Sequence, residues 1–129
     1  MDMHAHELTD NQFTSYSDTS VTVNQKEYSV NIVVTNNDVY NFNIVNIKDI
    51  KPDDLAQILD YKPDLVIFGT GTQVIYPDIS IIQLLQQHGI GYEVMSIPAL
   101  CRTYNFLISE NRKTACILLF SDFNKNNVE

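Results

Sequence analysis

The residues best equipped for chemistry lie in one stretch, Glu93-Val94-Met95-Ser96-Ile97-Pro98-Ala99-Leu100-Cys101-Arg102-Thr103-Tyr104-Asn105. It sets a thiol near the first turn of an expected helix and beside an arginine. Both the helix dipole and the neighbouring charge favour a thiolate, so Cys101 is the one candidate nucleophile. A cysteine nucleophile also needs a base. His88 is the only histidine besides His4 and His6, and it is expected at the C-terminal end of another helix. No catalytic set is complete. The residues around Cys101 read instead as a thiol packed like a small apolar side chain, and the chain as a non-enzyme.

A second constellation is Gly69-Thr70-Gly71-Thr72, directly after an apolar run. Glycines at the carboxyl end of a strand allow a tight turn and close backbone approach, and open α/β sheets bind ligands in such crevices. The dinucleotide fingerprint fails, because Val74 stands where the third glycine is needed; the phosphate loop fails for want of Gly-Lys-Ser/Thr. The turn and the helix start at 96–105, with Cys101, Arg102, Thr103, Tyr104 and Asn105, are expected to form two walls of one recess. Backbone donors at the helix start would suit a small anion there.

Glu93 is read as an acid in an interior strand. Arg102 and Arg112 are the only arginines, so a partly buried pair between Glu93 and one of them is expected. Tyr104 belongs to the apolar stripe Leu100, Tyr104, Leu107, Ile108, with a hydroxyl that needs a partner. Asn105 is expected to bond backbone nearby. His4 and His6 form an H-x-H pair, a poor metal site on a terminal tail. Two cysteines, Cys101 and Cys116, are too few for a disulfide scaffold or an iron–sulfur site. No metal or cofactor is expected.

The elements that must position these residues follow from the patterning. With 129 residues, 44% of them hydrophobic, one domain can bury roughly two-thirds of its unfolded surface. Residues 20–24 and 27–35 are β-branched and aromatic, with Gln25-Lys26 as the turn between them, and 39–45 is a third strand after the Asn36-Asn37-Asp38 turn. The front of the domain is therefore an antiparallel meander. From Pro52 the grammar changes. A helix runs to about Tyr61 on Leu55, Ile58 and Leu59; strand 64–68 is continuously apolar, as if buried on both faces. A second helix spans Asp78 to His88, with Asp78 as N-cap and Gly89 as terminator. Strand 92–95, a helix opened by Pro98 and running to about Glu110, and strand 114–120 complete the chain. The sum is a three-layer α/β domain at 20–121, with a mixed central sheet, between flexible tails at 1–19 and 122–129.

Sixteen acidic residues against eight Lys+Arg give a formal charge of -8, which disfavours nucleic acid, whose affinity rests on basic side chains. No apolar run approaches the ~20 residues of a membrane span. The N-terminal nineteen residues lack the basic start and apolar stretch of a secretory signal and the arginines of a mitochondrial presequence. A cytoplasmic protein with reduced thiols is expected.

Three segments in fixed order carry a resemblance: Pro63 to Thr72 (PDLVIFGTGT), Gly89 to Met95 (GIGYEVM) and Cys101 to Asn105 (CRTYN). Together they resemble the conserved-domain family that contains mitochondrial NADH:ubiquinone oxidoreductase (complex I) assembly factor three and its bacterial and archaeal relatives. The likeness spans about residues 20–120. Ser96 to Leu100 departs from the family pattern, an Asp-Thr followed by small residues, and so lacks its Thr cap. The resemblance implies a three-layer α/β fold with a mixed sheet. It also implies a non-enzymatic role, because the mitochondrial member is an assembly factor. The expected function is thus binding of another protein, with homo-oligomers compatible; the alternative is a small-molecule or anion site in the recess.

Overall fold

In the computed structural model residues 10–71 and 73–120 are described. The elements run β1 (Phe13–Tyr16), β2 (Val21–Val23), β3 (Lys26–Tyr28), β4 (Ile32–Thr35), β5 (Val39–Asn41), α1 (Ala56–Tyr61), β6 (Leu65–Gly69), α2 (Ile79–Gln87), β7 (Gly91–Met95), α3 (Ile97–Ser109) and β8 (Thr114–Leu118). Single 3-10 turns at Ile47–Asp49 and Pro52–Leu55 precede α1.

β5-β4-β8-β6-β7 form a mixed sheet, with β6 parallel to both β7 and β8 and β4 antiparallel to β5 and β8. Pleating sorts its side chains into two cores. Ile32, Val34, Ile67, Cys116 and Leu118 pack with Leu100, Cys101 and Tyr104 of α3. Val33, Val66, Phe68, Ala115 and Ile117 pack with Leu55 and Ile58 near α1 and with Ile81 and Leu85 of α2. Helices on both faces make the three layers read from the sequence. The continuous apolar character of β6 follows, because both its faces are buried.

β1-β2-β3 form a separate antiparallel sheet whose Phe13, Val21 and Val23 join the α3 side of the core. This corrects three expectations. The tail at 1–19 does not hold over its second half: Phe13 is buried and β1 pairs with β2. Residues 1–9, His4 and His6 included, and the tail at 122–129 lie outside the described residues. The single strand expected at 27–35 is two strands in two sheets, interrupted at Ser29–Asn31. The β2–β3 turn is Asn24-Gln25, both at positive φ, one residue earlier than expected.

The helix ends follow their local chemistry. The Asp78 carboxylate accepts from the Ser80 N–H at 3.0 Å and the Ser80 hydroxyl at 2.7 Å, which lowers its pKa. Gly89, at φ 69°, ends α2 with Ile90 N–H donating to the Leu85 carbonyl, a Schellman closure. At α3 the Ser96 hydroxyl caps the helix by accepting from Ala99 N–H at 3.3 Å, so the missing Thr cap is replaced one residue before the helix.

Candidate functional site

The two walls expected of the recess do meet, but as packing. A Cβ on Gly69 would lie 2.9 Å from Leu100 Cδ1 and 3.2 Å from Ile97 Cγ1, so α3 sits directly on the glycine. The Gly71 carbonyl accepts from Ile97 N–H at 3.4 Å. Pro98 has no N–H, Ala99 N–H is held by Ser96, and Leu100 N–H bonds the Ser96 carbonyl at 2.9 Å. The donors that would cradle an anion at this helix start are engaged within the chain. Gly69, Thr70 and Gly71 are buried, Arg102 is exposed, and Thr72 lies outside the described residues.

Cys101 is buried against the sheet among Ile97, Leu100 and Tyr104. Burial pushes its thiol up to about 12, with the Arg102 charge offsetting part of the shift. Cys116, buried in the same core, is raised as well, first by burial and then by Cys101. The thiolate that nucleophilic chemistry requires is thus disfavoured at both positions. Tyr104 is core, as its stripe predicts, and its hydroxyl donates to the carbonyls of Asn11 (3.0 Å) and Thr35 (3.2 Å). Asn105 does bond backbone, but not nearby: its amide accepts from Phe13 N–H and donates to the Phe13 carbonyl. Thr103, beside them, is half-buried. Tyr104 and Asn105 therefore fasten β1 to the domain, a role invisible while 1–19 is read as a tail.

The expected ion pair is absent. β7 is an edge strand, so Glu93 is exposed to water rather than interior. Among the described residues neither arginine pairs with it; Arg112 instead approaches Asp64 at 4.0 Å, with both side chains more than half exposed. Such a contact contributes little in high dielectric.

What the sequence reading missed lies at one end of the sheet. Gly69 pairs with Leu118, Leu118 with Ile32, and Ile32 with Asn41. The ends of β6, β7 and β8, the start of β4 and the end of β5 therefore share one rim. Val30, Val45, Val74, Tyr76 and Ile79 all lie on the segments that leave this rim, each 42–62% exposed. They are five of the seven large hydrophobics exposed among the described residues, the others being Tyr16 and Phe106. Scattered exposed apolars need no explanation, whereas a concentration at one end does.

The rim is held from beneath. The buried Thr70 hydroxyl donates to the Gln73 carbonyl and accepts from Ile75 N–H at 3.4 Å. Ile75 packs into the core, which turns Val74 and Tyr76 outward. Across the rim, the Asn31 amide donates to the Ile44 carbonyl at 2.9 Å, and Phe42 N–H bonds the Asn31 carbonyl at 3.0 Å. That fixes the chain beyond β5 and leaves Val30 and Val45 at the surface. The signal in the sequence is the run Val74-Ile75-Tyr76, three apolar residues of strand-forming type that the fold leaves outside every helix and strand.

Two grooves follow this chain, sharing Asn41 to Ile44. One, of about 310 Å³, opens toward Val30 and Val45; the other, of about 210 Å³, toward Asp54 and Gln57. Burial, and after it the Asp38 carboxylate, pushes the Tyr40 hydroxyl at this edge up to about 12. A third cavity, of about 290 Å³, lies at the opposite end, between Lys62, Asp64 and His88.

The profile of a family described as a protein of unknown function (DUF498/DUF598) matches residues 13–119. A "13 kDa major membrane protein" of Francisella tularensis is 30% identical over 109 residues, covering 83% of this chain and 89% of that protein. NADH dehydrogenase (ubiquinone) 1 alpha subcomplex assembly factor 3 of Drosophila melanogaster is 34% identical over 97 residues, 70% of this chain. The chain spans about half the length of that assembly factor. A crystal structure of a Bordetella parapertussis protein superposes with a TM-score of 0.78 at 29% identity, covering 86% of this chain and 96% of the other. Among the described residues no helix is long and apolar enough to cross a membrane.

Proposed function

The chain belongs to the DUF498/DUF598 family, and from that premise we propose that it is a non-enzymatic module that binds another protein, in the manner of an assembly factor. The observation that carries this reading is the apolar rim of Val30, Val45, Val74, Tyr76 and Ile79 on an otherwise acidic domain. Covering exposed apolar side chains is favourable by about 25 cal/mol per Å² removed from water, a gross gain from which the lost freedom of the partners is subtracted. The name of the Drosophila relative supports an assembly role, and that of the Francisella relative a site of action at a membrane. The acidic balance speaks against nucleic acid as the partner. We place the protein in the prokaryotic cytoplasm, where the two free thiols stay reduced.

The test is affinity isolation from the source cell with wild type and a Val74→Ser, Tyr76→Ser, Ile79→Ser triple variant. A stoichiometric protein partner held by wild type and lost by the variant is the expected result. No partner, with a metabolite co-purifying at full occupancy, would overturn the reading in favour of a ligand-binding domain.

A further inference from the structure

β5 is the outer strand of the main sheet, and its pairing parity fixes which of its backbone groups are free. In an antiparallel ladder, hydrogen-bonded residues alternate with residues whose N–H and C=O point outward. Phe42 N–H bonds the Asn31 carbonyl and Thr35 N–H bonds the Asp38 carbonyl, so Asn31–Phe42, Val33–Tyr40 and Thr35–Asp38 are the bonded pairs. Val39 and Asn41 therefore turn their backbone groups away from the sheet. Proteins ordinarily guard such an edge with Lys, Pro or a bulge. From Val39 to Val45 there is none; the residues are Val, Tyr, Asn, Phe, Asn, Ile and Val.

The grooves that follow Asn41 to Ile44 match what an added strand needs. A strand laid along this edge sends alternate side chains to opposite faces of the sheet. One groove is bounded by Val30 and Val45 and has no charged side chain among the described residues that line it; the other reaches Asp54 and Gln57. Among the described residues Asp54 is the one charged residue lining either groove, and Asp38 stands at the other end of β5. The edge thus prefers cations at one groove and aliphatic side chains at the other.

We propose that β5 and its extension to Val45 receive an extended segment of the partner protein in which Lys or Arg alternates with aliphatic residues. This rests on the protein-binding reading above and adds to it the form and charge of the partner. The added strand hydrogen-bonds the outward groups of Val39 and Asn41. Its aliphatic positions continue the apolar rim through Val30 and Val45, and its cations face Asp54.

The experiment uses an eight-residue peptide of alternating Lys and Val, an alternating Glu and Val peptide, and the Lys peptide N-methylated at alternate residues along one hydrogen-bonding edge. Binding to the full chain is followed by NMR amide shifts. The expected result is a saturable response confined to residues 30–31, 39–45, 54 and 57 with the Lys peptide alone. Asp54→Asn, which keeps an oxygen for the Lys51 N–H, should weaken that binding roughly two- to fivefold. An equal response to the N-methylated or the Glu peptide, shifts spread over the acidic surface, or no response overturns the proposal. So does concentration-dependent dimerisation of the chain alone that protects the Asn41 amide, since a second copy is then the occupant. A partner that still depends on Val74, Tyr76 and Ile79 while the peptide fails at β5 would leave the protein-binding reading standing and remove only this one.

Discussion

Asn105 on α3 holds Phe13 on β1 by both of its backbone groups, accepting from its N–H at 3.0 Å and donating to its carbonyl at 2.8 Å. One side-chain amide does the work of a neighbouring strand, and it does so across 92 residues. The Phe13 ring meets Tyr104 edge-on, with centroids 5.2 Å apart, and the Tyr104 hydroxyl reaches Asn11 and Thr35. The three-stranded sheet is therefore fastened to α3 by adjacent residues of one helical turn.

Asn105→Ala leaves two partly buried backbone groups of Phe13 without partners and should cost about 1–3 kcal/mol in urea unfolding. Amide exchange at Phe13 should accelerate more than exchange in β6 or β8. Tyr104→Phe should cost about 1 kcal/mol and couple non-additively with Asn105→Ala, since both act on β1.

These two residues show what a sequence can and cannot disclose. The stripe of α3 announces that Tyr104 is buried, because periodicity is a local property. Which backbone its hydroxyl meets is a long-range fact, set by a strand whose residues Thr14, Ser15 and Tyr16 are all exposed and therefore carry no alternation. The buried β6 was legible from its unbroken apolar run. Glu93 was misread because edge and interior strands differ only in what lies beside them. The recess was misread for a related reason: that Gly69 leaves room is visible in its missing side chain, but that Leu100 takes the room is not.

Gly69→Ala places a methyl group against Leu100 and Ile97 and should destabilise by about 1–3 kcal/mol. Leu100→Val on the Gly69→Ala background should recover part of that loss, although Leu100→Val alone is destabilising. Chemical denaturation of the four proteins checks the sign of the coupling.

The pH dependence follows from the buried thiol. Cys101 ionises at about 12 when folded against an ordinary value of 9.0, so the folded state resists losing that proton. Its contribution is fully present below about pH 9 and declines as pH rises toward 12, because the unfolded chain ionises first. Alkaline unfolding should therefore be shallower in Cys101→Ala than in wild type, once both are referred to their stability at pH 7. Thiol labelling at pH 8 should proceed only at the rate of opening.

Glu93→Gln should leave the denaturation midpoint within about 0.5 kcal/mol of wild type, since the carboxylate is exposed and unpaired with either arginine. A larger loss in the urea titration would restore the buried pair.

The rim carrying Val74, Tyr76 and Ile79 is expected to contact a protein in the cell. The most direct test of that contact is a photo-crosslinking amino acid placed at position 76, with the same group at position 106 on the outer face of α3 as the control, since both side chains are at least half exposed. Irradiation of living cells should give a discrete protein adduct from position 76 and none from position 106. No adduct from position 76, or the same adducts from both positions, would contradict it.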